Sequence, residues 1–240
     1  MVSTGVDEMQ RYAGKPGLVI AMDGPAGSGK STAARRVAAE LGLRYLDTGA
    51  MYRALTWWLR EQSIDLCDTA AVLARISEPR ILIGTDPATP WISVNGQDVA
   101  DPIRSREVSN TVSIVAAIPE VRTMLIAMQR DIIAHAAASE GIVAEGRDIG
   151  TVVAPDAAIK VYLTASEDVR AQRRSADLAA DPAATVEATR REQARRDQRD
   201  AAQMVMAEDA VPIDTSLLDL DDVVSLVIDM ARARQAASRG

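Results

Sequence analysis

The chain has no Phe, one His and one Cys among its 240 residues, and aromatic side chains make up only 3% of it. The single cysteine, Cys67, has no partner for an internal disulfide, so the sequence is no disulfide scaffold and suits a reducing compartment. No apolar run approaches the roughly 20 residues that a membrane-spanning helix needs, and the N-terminus has no apolar signal-peptide stretch. An excess of basic charge is missing as well. The 27 Lys+Arg stand against 34 Asp+Glu, a formal charge of -7, which is the wrong sign for a surface that gathers nucleic acid. The expected setting is cytoplasmic, with neither membrane nor nucleic acid as a partner.

What is present is the mixture of a soluble folded protein, 48% hydrophobic and 25% charged, in a length that suits one domain with a sizeable core. Residues 1–17 show no periodicity and read as a tail without a function. Residues 18–23 form a short apolar run without polar alternation, as in a buried parallel strand. From Lys30 a helix is predicted, with Ala33, Ala34, Val37, Ala38 and Leu41 on one face and Gly42 as its stop. A second strand at Arg44–Asp47 leads into a helix over 49–60, lined by Met51, Leu55, Trp58 and Leu59.

Residues 65–117 differ in texture and read as an inserted subdomain, with small strands at 80–84 and 91–94 around an Asn95-Gly96 turn. Pro119 opens a long helix expected to turn Val121, Leu125, Met128 and Ile132 inward. Strands follow at 142–144, 159–163 and Val211–Asp214, with helices at 167–179 and 220–231. In the last helix, Val223, Leu226, Val227 and Met230 carry the apolar spacing. Strands alternating with helices predict a parallel sheet with helices on both faces, and ligands at the carboxyl ends of the strands.

The sharpest motif is Gly24-Pro25-Ala26-Gly27-Ser28-Gly29-Lys30-Ser31, which fits G-x-x-x-x-G-K-[ST] between a strand and a helix, the P-loop context. Glycines let several N–H groups turn onto a phosphate, and the helix start adds a positive dipole end. Lys30 would reach the terminal phosphates, and Ser31 would ligate Mg²⁺. The loop identifies a nucleoside triphosphate, not a reaction. A guanine-reading N-K-x-D segment is absent, as is the strand ending in two acidic residues that many motor ATPases show. The acceptor side must therefore decide. Asp47-Thr48-Gly49-Ala50-Met51-Tyr52-Arg53 follows one strand and Glu145-Gly146-Arg147-Asp148-Ile149-Gly150 another. Arg53 and Arg147 at two strand ends suit a clamp on a monophosphate; the plainer alternative is surface ion pairs with Asp47 and Asp148.

These motifs, together with residues 24–32, 46–53, 145–153 and Asp214-Thr215-Ser216, resemble the bacterial cytidylate kinases, and the likeness covers most of the chain from Leu18 onward. The resemblance implies transfer of the γ-phosphoryl group of ATP to CMP and dCMP, with Mg²⁺ as cofactor, by an enzyme expected to act as a monomer. It also implies a three-layer P-loop α/β fold with a central parallel five-stranded sheet, an inserted monophosphate-binding subdomain over about 47–117 and a helical lid over about 173–203. The core would comprise 18–46, 118–172 and 204–240. Residue by residue, Gly24, Pro25, Ala26, Gly27, Ser28, Gly29, Lys30, Ser31 and Thr32, with Arg173 and Arg174, would bind ATP. Asp148, Arg122 and Ser113 match base-reading positions; Thr48, Tyr52, Arg53 and Arg147 match positions at the monophosphate; Arg196 and Asp200 match groups that reach the sugar. Lys30, Arg147 and Arg196 would be catalytic.

One position departs: Gln203 stands where the family usually has a further arginine, which puts the level of activity in question. Two alternatives remain open on the residues alone. One is a nucleoside monophosphate kinase with another base preference, the other a nucleotide-binding regulator with little transfer. Arg195 and Arg199 join the lid arginines, around a mobile polar tip between Ala179 and Val186, while Glu192 and Asp197 could pair along the helix at i, i+4 spacing. His135, far from any motif, and Cys67, expected to be partly buried at a helix start, read as structural. Trp57 and Trp58 read as core.

Overall fold

The computed structural model describes residues 17–177 and 185–237. The tail predicted over 1–17 lies outside these except for Gly17, whose N–H donates to the Ala137 carbonyl at 2.6 Å. Most of the predicted mobile tip, residues 178–184, also lies outside them.

The apolar run at the start becomes β1 (Val19–Asp23), with Ile20, Ala21 and Met22 fully buried. It pairs in parallel with both β6 (Ile142–Gly146) and β7 (Ile159–Thr164). Strand β2 (Arg44–Asp47) adds beyond β6, and β8 (Val211–Asp214) beyond β7, giving a five-stranded parallel sheet of order β2-β6-β1-β7-β8. Central strands buried on both faces need helices above and below. On one side α1 (Lys30–Leu41) and α8 (Leu220–Ala237) cover Ile20, Met22, Val161 and Leu163. On the other, α2 (Thr48–Glu61) and α5 (Pro119–Ala137) cover Ala21, Leu46 and Ala144. Helix α1 stops at Gly42, φ 65°, whose N–H turns back onto the Ala38 and Ala39 carbonyls.

Between α2 and α5 lies the insert. It holds the short helix α3 (Thr69–Leu73) and a three-stranded antiparallel sheet of β3 (Ile81–Ile83), β4 (Ile92–Val94) and β5 (Gln97–Asp98). The β4–β5 turn has Asn95 at φ 52° and Gly96 at φ 84°, the paired positive φ that the Asn-Gly step predicts. A 3₁₀ turn (Pro102–Arg104) then leads into α4 (Arg106–Ala116). Because Ile81, Ile92, Val94, Val99 and Ile103 share one apolar cluster with α2 and α5, the insert is seated on the core.

Several expectations shift. In α5 the buried stripe runs Val121, Leu125, Gln129, Ile133 and Ala136; Met128 and Ile132 are only half-buried, so the face is rotated by one residue. Leu226 is exposed in α8, which instead buries Val223, Val224, Val227, Ile228 and Ala231. His135 is exposed on the helix surface, where its Nδ1 meets the Asp131 carbonyl at 2.6 Å. Cys67 is likewise exposed. Trp58 is buried, with the Arg75 guanidinium 5.5 Å over its ring, and Trp57 packs half-buried against the same cluster. Among the described residues no single helix is long and apolar enough to cross a membrane.

Candidate active site

One cavity of about 480 Å³ lies at the carboxyl ends of β1, β2 and β6. The loop between β1 and α1 forms its floor. Gly24 has φ 146°, and a Cβ there would stand 2.1 Å from the Leu163 carbonyl oxygen, so only glycine fits where the loop passes β7. No side chain caps the start of α1, which leaves its first N–H groups for a ligand. Lys30 Nζ donates to the Pro25 carbonyl at 3.2 Å. Burial, and then the neighbouring Arg147, push the Lys30 ammonium down to about 7.

Beside it, the Ser31 hydroxyl donates to Glu145 Oε2 at 2.7 Å, while Tyr45 OH donates to Glu145 Oε1. Burial and the nearby Asp47 raise the Glu145 carboxyl above its ordinary range. Asp47 itself caps α2 by accepting from Ala50 N at 2.8 Å and pairs with Arg53 at 2.7 Å, and it is held below the usual carboxylate range by Arg53 against the opposing effect of burial. The Thr48 hydroxyl donates to the Glu145 carbonyl at 2.6 Å, joining the two motif turns. Neither Glu145 nor Tyr45 was assigned a role from sequence. The signal for Glu145 was an acidic residue ending the strand that neighbours β1.

The acceptor side is lined by Arg53, Ser113, Arg122, Arg147, Asp148, Arg196 and Asp200. Arg53 pairs with Asp47 as the plainer alternative had it, but inside the cavity, with both side chains mostly buried. Arg147 does not pair with Asp148. It donates to the Gly24 carbonyl at 2.5 Å and to Asp200 Oδ2 at 3.3 Å, and Asp148 pairs with Arg122 instead. Tyr52 is half-buried, its phenol pushed up to about 12 by burial. Arg196 lies 3.6 Å from Asp200, and burial followed by Arg147 lowers its guanidinium to about 9. Ser113 Oγ, Arg53 Nε and Arg196 Nε are buried without a hydrogen-bond partner. Unpaired buried donors facing a cavity are what a bound anion or base would satisfy.

The segment expected as a lid comprises α6 (Glu167–Asp177) and α7 (Val186–Asp200). Arg173 donates to Thr215 Oγ1 and its carbonyl, beside Gly29, and so lies over the P-loop. Arg174, assigned to ATP by the resemblance, lines the acceptor cavity and donates to Ser109 Oγ at 2.9 Å. Arg195 and Arg199 face solvent. Arg170, not singled out from sequence, is buried and reaches the Ala26 carbonyl at 3.2 Å and Asp197 at 2.6 Å. Glu192 bridges to Arg106 on α4, so Glu192 and Asp197 pair between elements and not along their own helix. Gln203 Nε2 donates to the Ala116 carbonyl at 3.1 Å. A second cavity of about 500 Å³, between α1 and the 83–92 hairpin, holds none of the predicted base- or phosphate-binding residues of the acceptor side.

A parallel sheet with a P-loop at its centre, a cationic cavity across from the loop and two arginine-bearing helices beside it define an ATP-dependent phosphotransferase. The comparisons narrow the class. The cytidylate kinase family model matches residues 20–233. The chain is 48% identical over 223 residues to a cytidylate kinase of Streptomyces avermitilis, covering 92% of this chain and 96% of that protein. It is 50% identical over 222 residues to one of Streptomyces coelicolor (92% and 95%) and 44% identical over 219 residues to one of Corynebacterium diphtheriae (89% and 94%). The chain belongs to the cytidylate kinase family.

Proposed function

We propose that this cavity takes CMP or dCMP opposite ATP, with base, phosphate and sugar held by the residues below. The observation that carries the reading is the meeting, in one cavity, of Lys30 and Ser31 with the Arg122–Asp148 pair and the unpartnered Ser113 hydroxyl. Cytosine presents an N4 amino donor beside N3 and O2 acceptors. Asp148 accepts from the amine, and Arg122 and Ser113 donate to the acceptors. Uracil puts an oxygen where the amine was, against the Asp148 carboxylate. Arg53 and Arg147 hold the monophosphate, and Arg196 and Asp200 the sugar. The relatives give no support to a regulator without transfer or to another base.

The acceptor phosphate has its second pKa near 6 and is already mostly ionised at neutral pH, so no side chain need act as a base. One of its oxygens attacks the γ-phosphorus of ATP, a P–O bond forms, and the bond to ADP breaks with its electron pair leaving on the β-phosphate oxygen. Transfer through a loose transition state leaves charge on the equatorial oxygens, and Lys30, Arg147 and Arg196 are placed to neutralise it. Arg173 over the P-loop and Arg174 over the acceptor would exclude water as the lid closes.

The donor set at Ser31 suits Mg²⁺: all oxygen, a hydroxyl touching a buried carboxylate, with a second carboxylate at Asp47 nearby. Ser31 would hold the ion, with Glu145 behind it. The bound ion would supply positive charge that offsets the charge of the triphosphate. The test is direct detection of products from ATP-Mg²⁺ with CMP, dCMP, UMP, AMP and GMP in parallel. CDP and dCDP should dominate; dominance of another diphosphate would overturn the base assignment.

A further inference from the structure

Asp148 sits at the N-cap position of a single π-helical turn, Ile149–Val153. An aspartate there ordinarily folds its carboxylate back onto the first free N–H groups of the helix. Here the Asp148 side chain makes no such bond and instead pairs with Arg122 in the cavity. The donors it leaves are taken from far away in sequence: Ile149 N donates to Asp23 Oδ1 and Gly150 N to Asp23 Oδ2, each at 2.8 Å. Asp23 is buried at the last position of β1, where its register partner on β6 is Gly146, the residue from which the chain turns into Arg147 and Asp148. It is not among the residues lining the acceptor cavity.

We infer that Asp23 is a positioning residue for base selectivity: by capping the turn in place of Asp148, it frees the Asp148 carboxylate to face the acceptor. The inference rests on the base-reading role of Asp148 given above. A capping bond worth only stability would be met by any arrangement of the two carboxylates, and the local one, Asp148 on its own turn, is the simpler. The arrangement found differs in one respect that bears on function, because it puts a charged acceptor into the cavity. The groups facing Asp23 are consistent with this division of labour. Lys30 on α1 favours its charge, Asp148 opposes it, and Tyr162 on β7 lies within its field. Burial pushes its carboxyl up to about 6 against the two N–H bonds that hold it down.

The experiment compares kcat/KM for CMP and for UMP in the wild type, Asp23→Asn, Asp148→Ala and the double variant. Asn keeps the shape and one acceptor oxygen but cannot take both N–H groups. Asp23→Asn should lower the CMP:UMP ratio about tenfold, the scale of one lost base contact, and should lower it no further in the Asp148→Ala background. A fall in rate that is equal for both acceptors overturns the inference, because a merely structural cap has no reason to distinguish bases. Asp23→Ser, with one small acceptor, is read in the same way should the Asn variant fail to fold. If Asp148→Ala leaves the ratio unchanged, the base-reading assignment fails. A crystal structure of Asp23→Asn then decides the capping step by itself. Asp148 turned off Arg122 and onto Ile149 or Gly150 upholds it, and an intact Arg122–Asp148 pair overturns it.

Discussion

The Ser31 hydroxyl donates to Glu145 Oε2 at 2.7 Å and so ties the first turn of α1 to the end of β6. Since Tyr45 holds the other carboxylate oxygen, Glu145 has a fixed orientation toward the phosphate end of the P-loop. Two buried carboxylates, Asp47 and Glu145, standing beside a lysine of depressed basicity form a charge set that a divalent cation would complete. Groups that orient a ligand of a metal typically affect metal affinity by about 10–100-fold. Glu145→Gln should raise the free Mg²⁺ needed for half-maximal rate by about that factor, with a smaller change in the KM for CMP. Initial rates across a Mg²⁺ series at saturating nucleotides measure it, and an unchanged midpoint would show that Glu145 has no part in holding the ion, through Ser31 or directly.

Lys30 carries a second expectation. With its ammonium lowered to about 7 by burial and by Arg147, the unliganded enzyme holds Lys30 mostly neutral at pH 8. The phosphates of ATP bring negative charge to it and restore the proton. Binding of ATP at pH 8 should therefore take up protons, on the order of one per site. Calorimetry in two buffers of different ionisation enthalpy reads this directly, and the Lys30→Met variant should lose the buffer dependence.

Most of the architecture was legible because its signals are local. An unbroken apolar run gives β1, Asn95-Gly96 gives the β4–β5 turn, and the P-loop glycines announce themselves by spacing. The partners inside the cavity were less so. The plainer alternative for Arg147, an ion pair with the adjacent Asp148, fails because neighbours along an irregular turn point different ways, and the space near Asp148 goes to Arg122 from α5. Arg170 and Asp23 gave no motif to notice. Their roles come from contacts 126 or more residues away, with Ile149 and Gly150 for Asp23 and with Ala26 for Arg170, which only the folded chain brings together. The resemblance assigns Arg173 and Arg174 alike to ATP, but successive helix positions face about 100° apart, and Arg174 lies on the acceptor side.

Gln203 stands where the resemblance implies a further arginine, and its amide ties the segment after α7 to the Ala116 carbonyl at the close of α4, the helix that carries Ser113. A neutral amide supplies that tie without adding charge to the cavity. Gln203→Arg should strengthen acceptor binding, since a charge-assisted hydrogen bond exceeds a neutral one by about 1 kcal/mol, or about fivefold in KM for CMP. Gln203→Ala should raise the same KM a few-fold through loss of the tie. Steady-state kinetics on the two variants test this, and an unchanged KM in both would place Gln203 outside the acceptor's reach.

Asp23 gives a pH dependence whose sign follows from its burial. A carboxyl raised from its ordinary 3.8 to about 6 binds its proton more tightly in the folded chain than in the unfolded one. Between those two values the unfolded chain has released the proton and the folded chain still holds it, so each rise in pH weakens the fold. The displacement corresponds to roughly 3 kcal/mol across the window, with no further change above pH 6 from this group. Asp23→Asn has no such proton. The stability of the wild type relative to this variant, from denaturant unfolding without nucleotide, should therefore fall as pH rises from 4 to 6 and then level off. A difference that stays flat would mean that Asp23 remains ionised throughout and caps the turn as a carboxylate at every pH. The sloping result would mean that the enzyme, at neutral pH, keeps a buried charge at the expense of its own stability. Such a sacrifice is expected where a site needs a group for positioning that the fold alone would sooner neutralise.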